Sequence, residues 1–294
     1  IAAAAPGQLA PLAGSGFPRQ RLVVGVAGRF DRAQMLAALQ RFVARFPDMG
    51  ADTAAADRAA APQGLPVADP PAFAGPLPPG VYLVDKPFAQ ASIRLAAPGV
   101  QRPDPDYYRL LVASEVFGGG GFTSRLALRV RSDEGLAYSV SSDVESDYHR
   151  RGSVRTGLQT KAETGAFAVD IVLEEMRRMA TEGITDAELE RARDALLKSL
   201  PALFATSAST ARIFAQSEAW GRSPEHFRNY RRTLETMTRA EVEDAFRRYF
   251  VADSMRVLVV GPAEALLASD ARGRSLSDIG PVTRITEEEL DKRE

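Results

Sequence analysis

FGGGGFTSRLALRVRSDEGLAYSV, residues 117–140, runs four consecutive glycines into a hydroxyl pair, three arginines and a tyrosine. Glycine lets backbone N–H groups come close to a phosphate or to another chain. Spacing alone leaves three readings: a nucleotide cradle, a substrate-facing loop, or a helix C-cap with a turn. A phosphate loop runs from strand to helix and carries a lysine after its last glycine. Here DPDYYRLLVASEVF (104–117) reads as a helix leading into the glycines. The lysines, Lys86, Lys161, Lys198 and Lys292, all lie elsewhere. The nucleotide reading is set aside.

Working outward, SRLALRVRSDEG (124–135) predicts a short helix, and AYSVSSDVESDYH (137–149) with GSVRTGLQT (152–160) a pair of strands. Upstream, VYLVDKP (81–87) and QASIRLAAP (90–98) read as two more strands. Capping boxes at Thr160 with Glu163, Thr185 with Glu188, and Thr238 with Glu241 predict three helix starts. Ala168, Ile171, Val172, Met176 and Met179 share one face of the first helix; Leu189, Ala192, Leu196 and Leu200 share one face of the second. A further helix covers about 208–219, and SPEHF (223–227) opens another, with Ser223 at the N-cap and Pro224 at the first helical position.

The strand MRVLVVGP (255–262) exposes an internal repeat. RRYFVADSMRVLVVGPAEALL (247–267) echoes GFPRQRLVVGVAGRFDRAQML (16–36): a polar turn, an arginine, a β-branched run, a glycine, then an apolar helix. RLVVGVAG (21–28) accordingly predicts a buried strand, and Asp31 caps a helix lined by Met35, Leu36, Leu39, Phe42, Val43 and Phe46. The organisation expected is the incomplete end of one domain over 1–62, a proline-rich linker over 63–80, a complete α+β domain over 81–267, and a polar tail outside the core over 268–294. An incomplete first domain should expose apolar surface that something covers.

Composition removes several functions. The 294 residues carry a formal net charge of −1, with arginines interleaved among carboxylates, so no one-sign face is expected and no nucleic-acid partner. Without cysteine there is no disulfide, thiolate zinc site, iron–sulfur cluster or cysteine nucleophile, but the compartment stays open. No apolar run approaches the roughly 18 residues of a membrane span. The opening IAAAAPGQLAPLAG lacks a basic region and a sustained apolar core, unlike a signal peptide, and a start on Ile1 leads us to expect processing or truncation. His149 and His226 are the only histidines, both read as surface residues, and no HxxxH or GxSxG occurs. No metal-ligand set is read in this chain. Arg131 and Tyr138 stand seven residues apart. Spacing leaves them either a surface arginine and a half-buried sheet tyrosine, or two donors aimed at one developing oxyanion.

GGGGFTSRL followed by LRVRSDEGLAYSV, together with VYLVDKP, SIRLAAPGV, DPDYYRLLVASEVFGGG and the VVG endings, closely resembles the M16 family of zinc peptidases. That family includes the pitrilysins, the mitochondrial processing peptidase subunits and the core subunits of the respiratory bc1 complex. The resemblance covers about 80–267 as a C-terminal domain and 16–48 as the end of an N-terminal one. It implies a two-layer α+β fold, a mainly antiparallel sheet packed against helices, facing a similar domain across a chamber. It also implies that Arg131 and Tyr138 polarise the substrate carbonyl, with Arg129 as the alternative arginine. Gly118, Gly119, Gly120 and Gly121, with Phe122 and Ser124, would contact the peptide.

The family's zinc-binding HxxEH is absent, and the helix over 105–117 offers Glu115 alone among leucine, valine, alanine and serine. The resemblance therefore implies no metal here and zinc in a partner or in a missing half. The chain reads as the substrate-binding half of a zinc peptidase, either a fragment or a metal-free subunit. Its expected partners are an HxxEH-bearing M16 domain or subunit and a peptide, with homo-oligomerisation a further expectation. The alternative is a silent scaffold like the bc1 core subunits. Secreted bacterial relatives point to a periplasmic rather than a cytoplasmic home.

Overall fold

In QASIRLAAP, buried Ala91, Ile93, Leu95 and Ala97 alternate with Ser92, Arg94 and Ala96, and that period of two builds a central strand over Gln90–Pro98. The computed structural model describes residues 19, 22–46, 77–137, 139–148, 150–223, 225–286 and 289. They fall into two units, 1–73 with 200–224, and 74–199 with 225–294. In chain order the elements begin with helix α1 (Arg32–Val43), strands β1 (Gly80–Asp85) and β2 (Gln90–Pro98), and helix α2 (Asp106–Ser114). Strands β3 (Val140–Glu145) and β4 (Ser153–Lys161) precede helices α3 (Gly165–Glu182), α4 (Asp186–Leu203), α5 (Ser207–Ala219), α6 (His226–Thr236) and α7 (Arg239–Tyr249). Strand β5 (Arg256–Gly261), short helices α8 (Ala263–Leu267) and α9 (Leu276–Ile279), and strand β6 (Val282–Arg284) follow.

The larger unit is one mixed sheet ordered β3-β4-β2-β5-β1-β6 with helices packed on it. Antiparallel ladders join β3 to β4, β4 to β2 and β2 to β5, while β1 runs parallel to both β5 and β6. The α+β expectation with a mainly antiparallel sheet is met. Helix α3 buries Ala168, Ile171, Val172, Met176 and Met179, the face its spacing predicts. Phe246 stacks on Phe250 at 4.7 Å, and Phe117 meets Phe246 edge-on at 5.3 Å, joining the end of α2 to α7. Buried Asp106 pairs with Arg109 on its own helix and, across the same contact, with Arg248. Burial alone would raise its carboxyl, but the hydrogen bonds from the two guanidiniums outweigh that and hold it below its ordinary range.

Four expectations change. Thr160 is buried at the end of β4 and donates to the Leu136 carbonyl at 2.6 Å, so it opens no helix; α3 starts later, after Thr164. A T-x-x-E spacing is satisfied equally by a strand end, and the ladder to β2 decides. Helix α6 takes Glu225 at its N-cap rather than Ser223; Pro224 lies outside the described residues. Residues 268–286, expected as a tail outside the core, bury Leu276 and supply β6. The apolar signal there is three residues long, too short to read as a strand before its partner β1 is known.

The fourth change is the smaller unit. Asp31 caps α1 as expected, accepting from the Gln34 N–H at 2.9 Å. Yet neither α1 nor α5 contains a buried residue. Residues 22–27, expected as a buried strand, join no ladder, and Val23, Val24 and Val26 are exposed. A strand is stabilised by neighbours, and the described residues of this unit provide none. Most of the linker expected over 63–80 lies outside the described residues; Leu77 and Pro78 at its end pack on and hydrogen-bond with Tyr82.

Candidate functional site

Helix α2 does not stop at the glycines; it widens into a π-helical turn over Glu115–Gly119, closed by Gly120 N–H to the Glu115 carbonyl at 2.8 Å. The cause is strand β3. A Cβ on Gly118 would stand 2.8 Å from both the Cβ and the backbone nitrogen of Ser142, so only glycine lets the turn lie this close. Ser114 Oγ, 3.1 Å from Ser142 Oγ, and Ser142 Oγ, donating to the Arg155 carbonyl at 3.1 Å, fix the approach. Gly121 then takes a left-handed φ of +57° and turns the chain into the next helical segment.

That segment is anchored by residues the sequence reading did not single out for function. Arg125 places Nε 2.7 Å from Glu188 Oε1 and Nη2 2.8 Å from Oε2, and also reaches the Gly183 carbonyl. Glu188 simultaneously closes the capping box with Thr185 at the start of α4. Burial would raise the Glu188 carboxyl, but its hydrogen bonds from Arg125 and Thr185 bring it down to about 2. Deeper still, burial pushes Glu175 up against the pull of Arg178 and Arg125. The capping-box pattern was the available signal for Glu188; nothing local to SRL announces its partner 63 residues on.

The predicted site residues divide. Gly118 is buried, and Ser124 is 1% exposed with its hydroxyl donating to the Gly121 carbonyl at 2.8 Å; both serve packing rather than presentation. Phe122 is 72% exposed. The Arg131 guanidinium lies 4.2 Å from the centroid of the Phe122 ring, so the residue after the glycines meets the last arginine of the stretch. Arg129 is taken by Glu134 at 2.6 Å, and Glu134 in turn binds Arg272. Tyr138 and His149 lie outside the described residues. Beside the glycine segment a small cleft is lined by Glu115, Gly120, Thr123, Glu188 and Arg191, and burial raises the Glu115 carboxyl.

A zinc centre does not fit the residues present. Among the described residues no three His, Cys, Asp or Glu side chains are grouped to hold a metal. The donor set is also wrong, since cysteine is absent and the two histidines are far apart in sequence. No described helix is long and apolar enough to cross a membrane.

Among the described residues, the mixed sheet packed with helices carries a glycine segment and an arginine but no grouped metal ligands. A family model described as "Peptidase M16 inactive domain" matches residues 17–196, more than half of the chain, and the protein belongs to that family. The match begins in the first copy of the repeat. The non-peptidase homolog YmxG of Helicobacter pylori is 39% identical over 84 residues, 28% of this chain and 19% of its own. An uncharacterized zinc protease YmxG of Bacillus subtilis is 33% identical over 111 residues, 38% of this chain and 27% of its own. The chain thus spans under a third of these curated relatives. The crystal structure of a peptidase M16 inactive domain from Pseudomonas fluorescens superposes with a TM-score of 0.62 at 24% identity, covering 79% of this chain and 51% of that one.

Proposed function

We propose that this chain is the substrate-binding half of an M16-type zinc peptidase, with the metal and the general base supplied by an HxxEH-bearing M16 domain or subunit. The observation that carries the reading is the Arg131–Phe122 stack at the exposed end of the glycine segment. It sets the Arg131 guanidinium on the exposed Phe122 ring, beside backbone that can approach a peptide. In this reading Arg131 and Tyr138 donate to the carbonyl oxygen of the bound peptide and stabilise the charge that develops on it. Gly119, Gly120, Gly121 and Phe122 contact the peptide chain. No metal step runs through this chain.

A second reading, a silent scaffold, is favoured by one specific observation: Gly118, Gly121 and Ser124 are each accounted for by packing or turn geometry without a substrate. Peptide cleavage decides between the two. We expect this chain alone to be inactive and its mixture with an HxxEH-bearing M16 domain from the same source to cleave. Arg131→Ala and Tyr138→Phe should each lower that rate by about 10²–10³-fold. Cleavage indifferent to both variants would make the chain a scaffold, and cleavage by the chain alone would overturn both readings.

A further inference from the structure

The turn between α8 and α9 reaches back to the segment that carries Arg131. It hangs between two buried anchors, Leu266 before it and Leu276 after it. Asp270 folds it. The Asp270 carboxylate accepts from the N–H groups of Arg272 at 2.8 Å and Arg274 at 2.9 Å, and its own N–H donates to the Arg274 carbonyl at 2.7 Å. A turn closed in this way fixes the directions in which its two arginines leave the chain. Arg274 pairs with Asp170 of α3. Arg272 lays its guanidinium on the Phe167 ring of the same helix, 3.7 Å from the centroid, and donates to Glu134 Oε2 at 2.9 Å.

The other oxygen of Glu134 accepts from Arg129 at 2.6 Å, so the carboxylate is held from two sides, with its side chain only 16% exposed. The hydrogen bond from Arg272 is the largest influence keeping that carboxyl below its ordinary range. Glu134 also closes the helical segment Ala127–Asp133. Its N–H and that of Gly135 both donate to the Arg131 carbonyl, and the Leu136 N–H donates to the Val130 carbonyl at 2.9 Å. Ser132, Asp133 and Gly135 are exposed, so burial holds this turn only from Leu136 onward. Before that point the side-chain tether is Glu134, tied from 138 residues away.

We infer that the 270–274 turn is a clamp on the Arg131 segment, and that Arg272 is a positioning residue for Arg131. Arg272 acts through Glu134 rather than on the peptide: it keeps the turn closed, and the closed turn sets where the Arg131 guanidinium stands on Phe122. This rests on the reading of Arg131 as a donor to the peptide carbonyl and adds what holds that donor in place. A lone surface ion pair is a weak tether. Here the Phe167 ring, the second arginine on Glu134 and the Asp270 turn have already restricted the partners, so little freedom is lost when they pair.

Two arms test it. In the full chain alone, Arg272→Ala should raise amide exchange over 134–136 about three- to tenfold and leave 257–260 unchanged. Arg272→Lys, which keeps the charge and loses the fork, should raise it less. Unchanged exchange at 134–136, or an equal rise at 257–260, overturns the clamp. In the mixture with an HxxEH-bearing M16 domain from the same source, Arg272→Ala should lower kcat about tenfold with KM within about twofold. Arg272→Lys should recover part of that loss, and in an Arg131→Ala background Arg272→Ala should change nothing further. A loss that persists in that background overturns the positioning role. No cleavage by the unaltered mixture overturns the donor reading on which the role rests, while the exchange arm still decides the clamp.

Discussion

Val259 and Val23 occupy the same place in two copies of one pattern, yet the first is wholly buried in a six-stranded sheet and the second is exposed beside a helix. Both runs are β-branched, both end on a glycine that another backbone approaches closely, and both lead toward an apolar helix. What differs is the company. β5 has β1 and β2; residues 22–27 have neither. Local sequence thus specifies a strand-competent segment, and long-range pairing decides whether it becomes a strand.

The sharpest way to break that comparison is to place a charge in each copy. Val259→Asp puts a carboxylate in the middle of the sheet with no partner, and we expect it to cost more than about 4 kcal/mol and unfold the larger unit in urea titrations. Val23→Asp should stay within about 0.5 kcal/mol, as substitutions at exposed positions do. Equal losses would mean that both copies are equally packed.

A second test weakens the larger unit at another point and leaves the exposed copy alone. Glu188→Gln breaks the two-pronged pair with Arg125 at a side chain that is 16% exposed, and should cost roughly 2–3 kcal/mol. The Glu188 carboxyl titrates at about 2 in the folded chain against an ordinary 4.5. A depressed carboxyl stabilises the fold above the ordinary value and loses that contribution as pH falls through the folded one. Acid titration between about 4.5 and 2 should therefore destabilise the native chain more than Glu188→Gln, with exchange at 23–27 unchanged.

The smallest effect is expected at the paired glycines. Gly261→Ala brings a Cβ to 3.2 Å from Ala91 Cα, a squeeze worth about 1 kcal/mol of larger-unit stability. Gly25→Ala meets the Ala211 carbonyl and should leave that stability untouched while changing exchange in α5.

Much of the sheet was legible because its signals are local. The alternation in β2, the capping boxes at Thr185 and Thr238, and the apolar face of α3 all follow from residues a turn or two apart. Thr160 misled because its spacing fits a helix start while its hydroxyl is claimed by Leu136, 24 residues away. β6 was missed because three residues carry no period until β1 lies beside them. At the candidate site the glycines were visible, but their individual reasons were not. Gly118 answers to Ser142 on another element, and Arg125 to Glu188 across the fold. The Arg131–Phe122 stack brings together residues whose nearness the glycine turn creates.

The measurement that bears most directly on this account is hydrogen exchange of the chain alone, read at the amides of 23–27 and of 257–260 side by side. We predict near-global protection for the second copy and almost none for the first, because only one of them has strands on both edges. Comparable protection in the two copies would show that the first already has its neighbours, and would contradict the comparison.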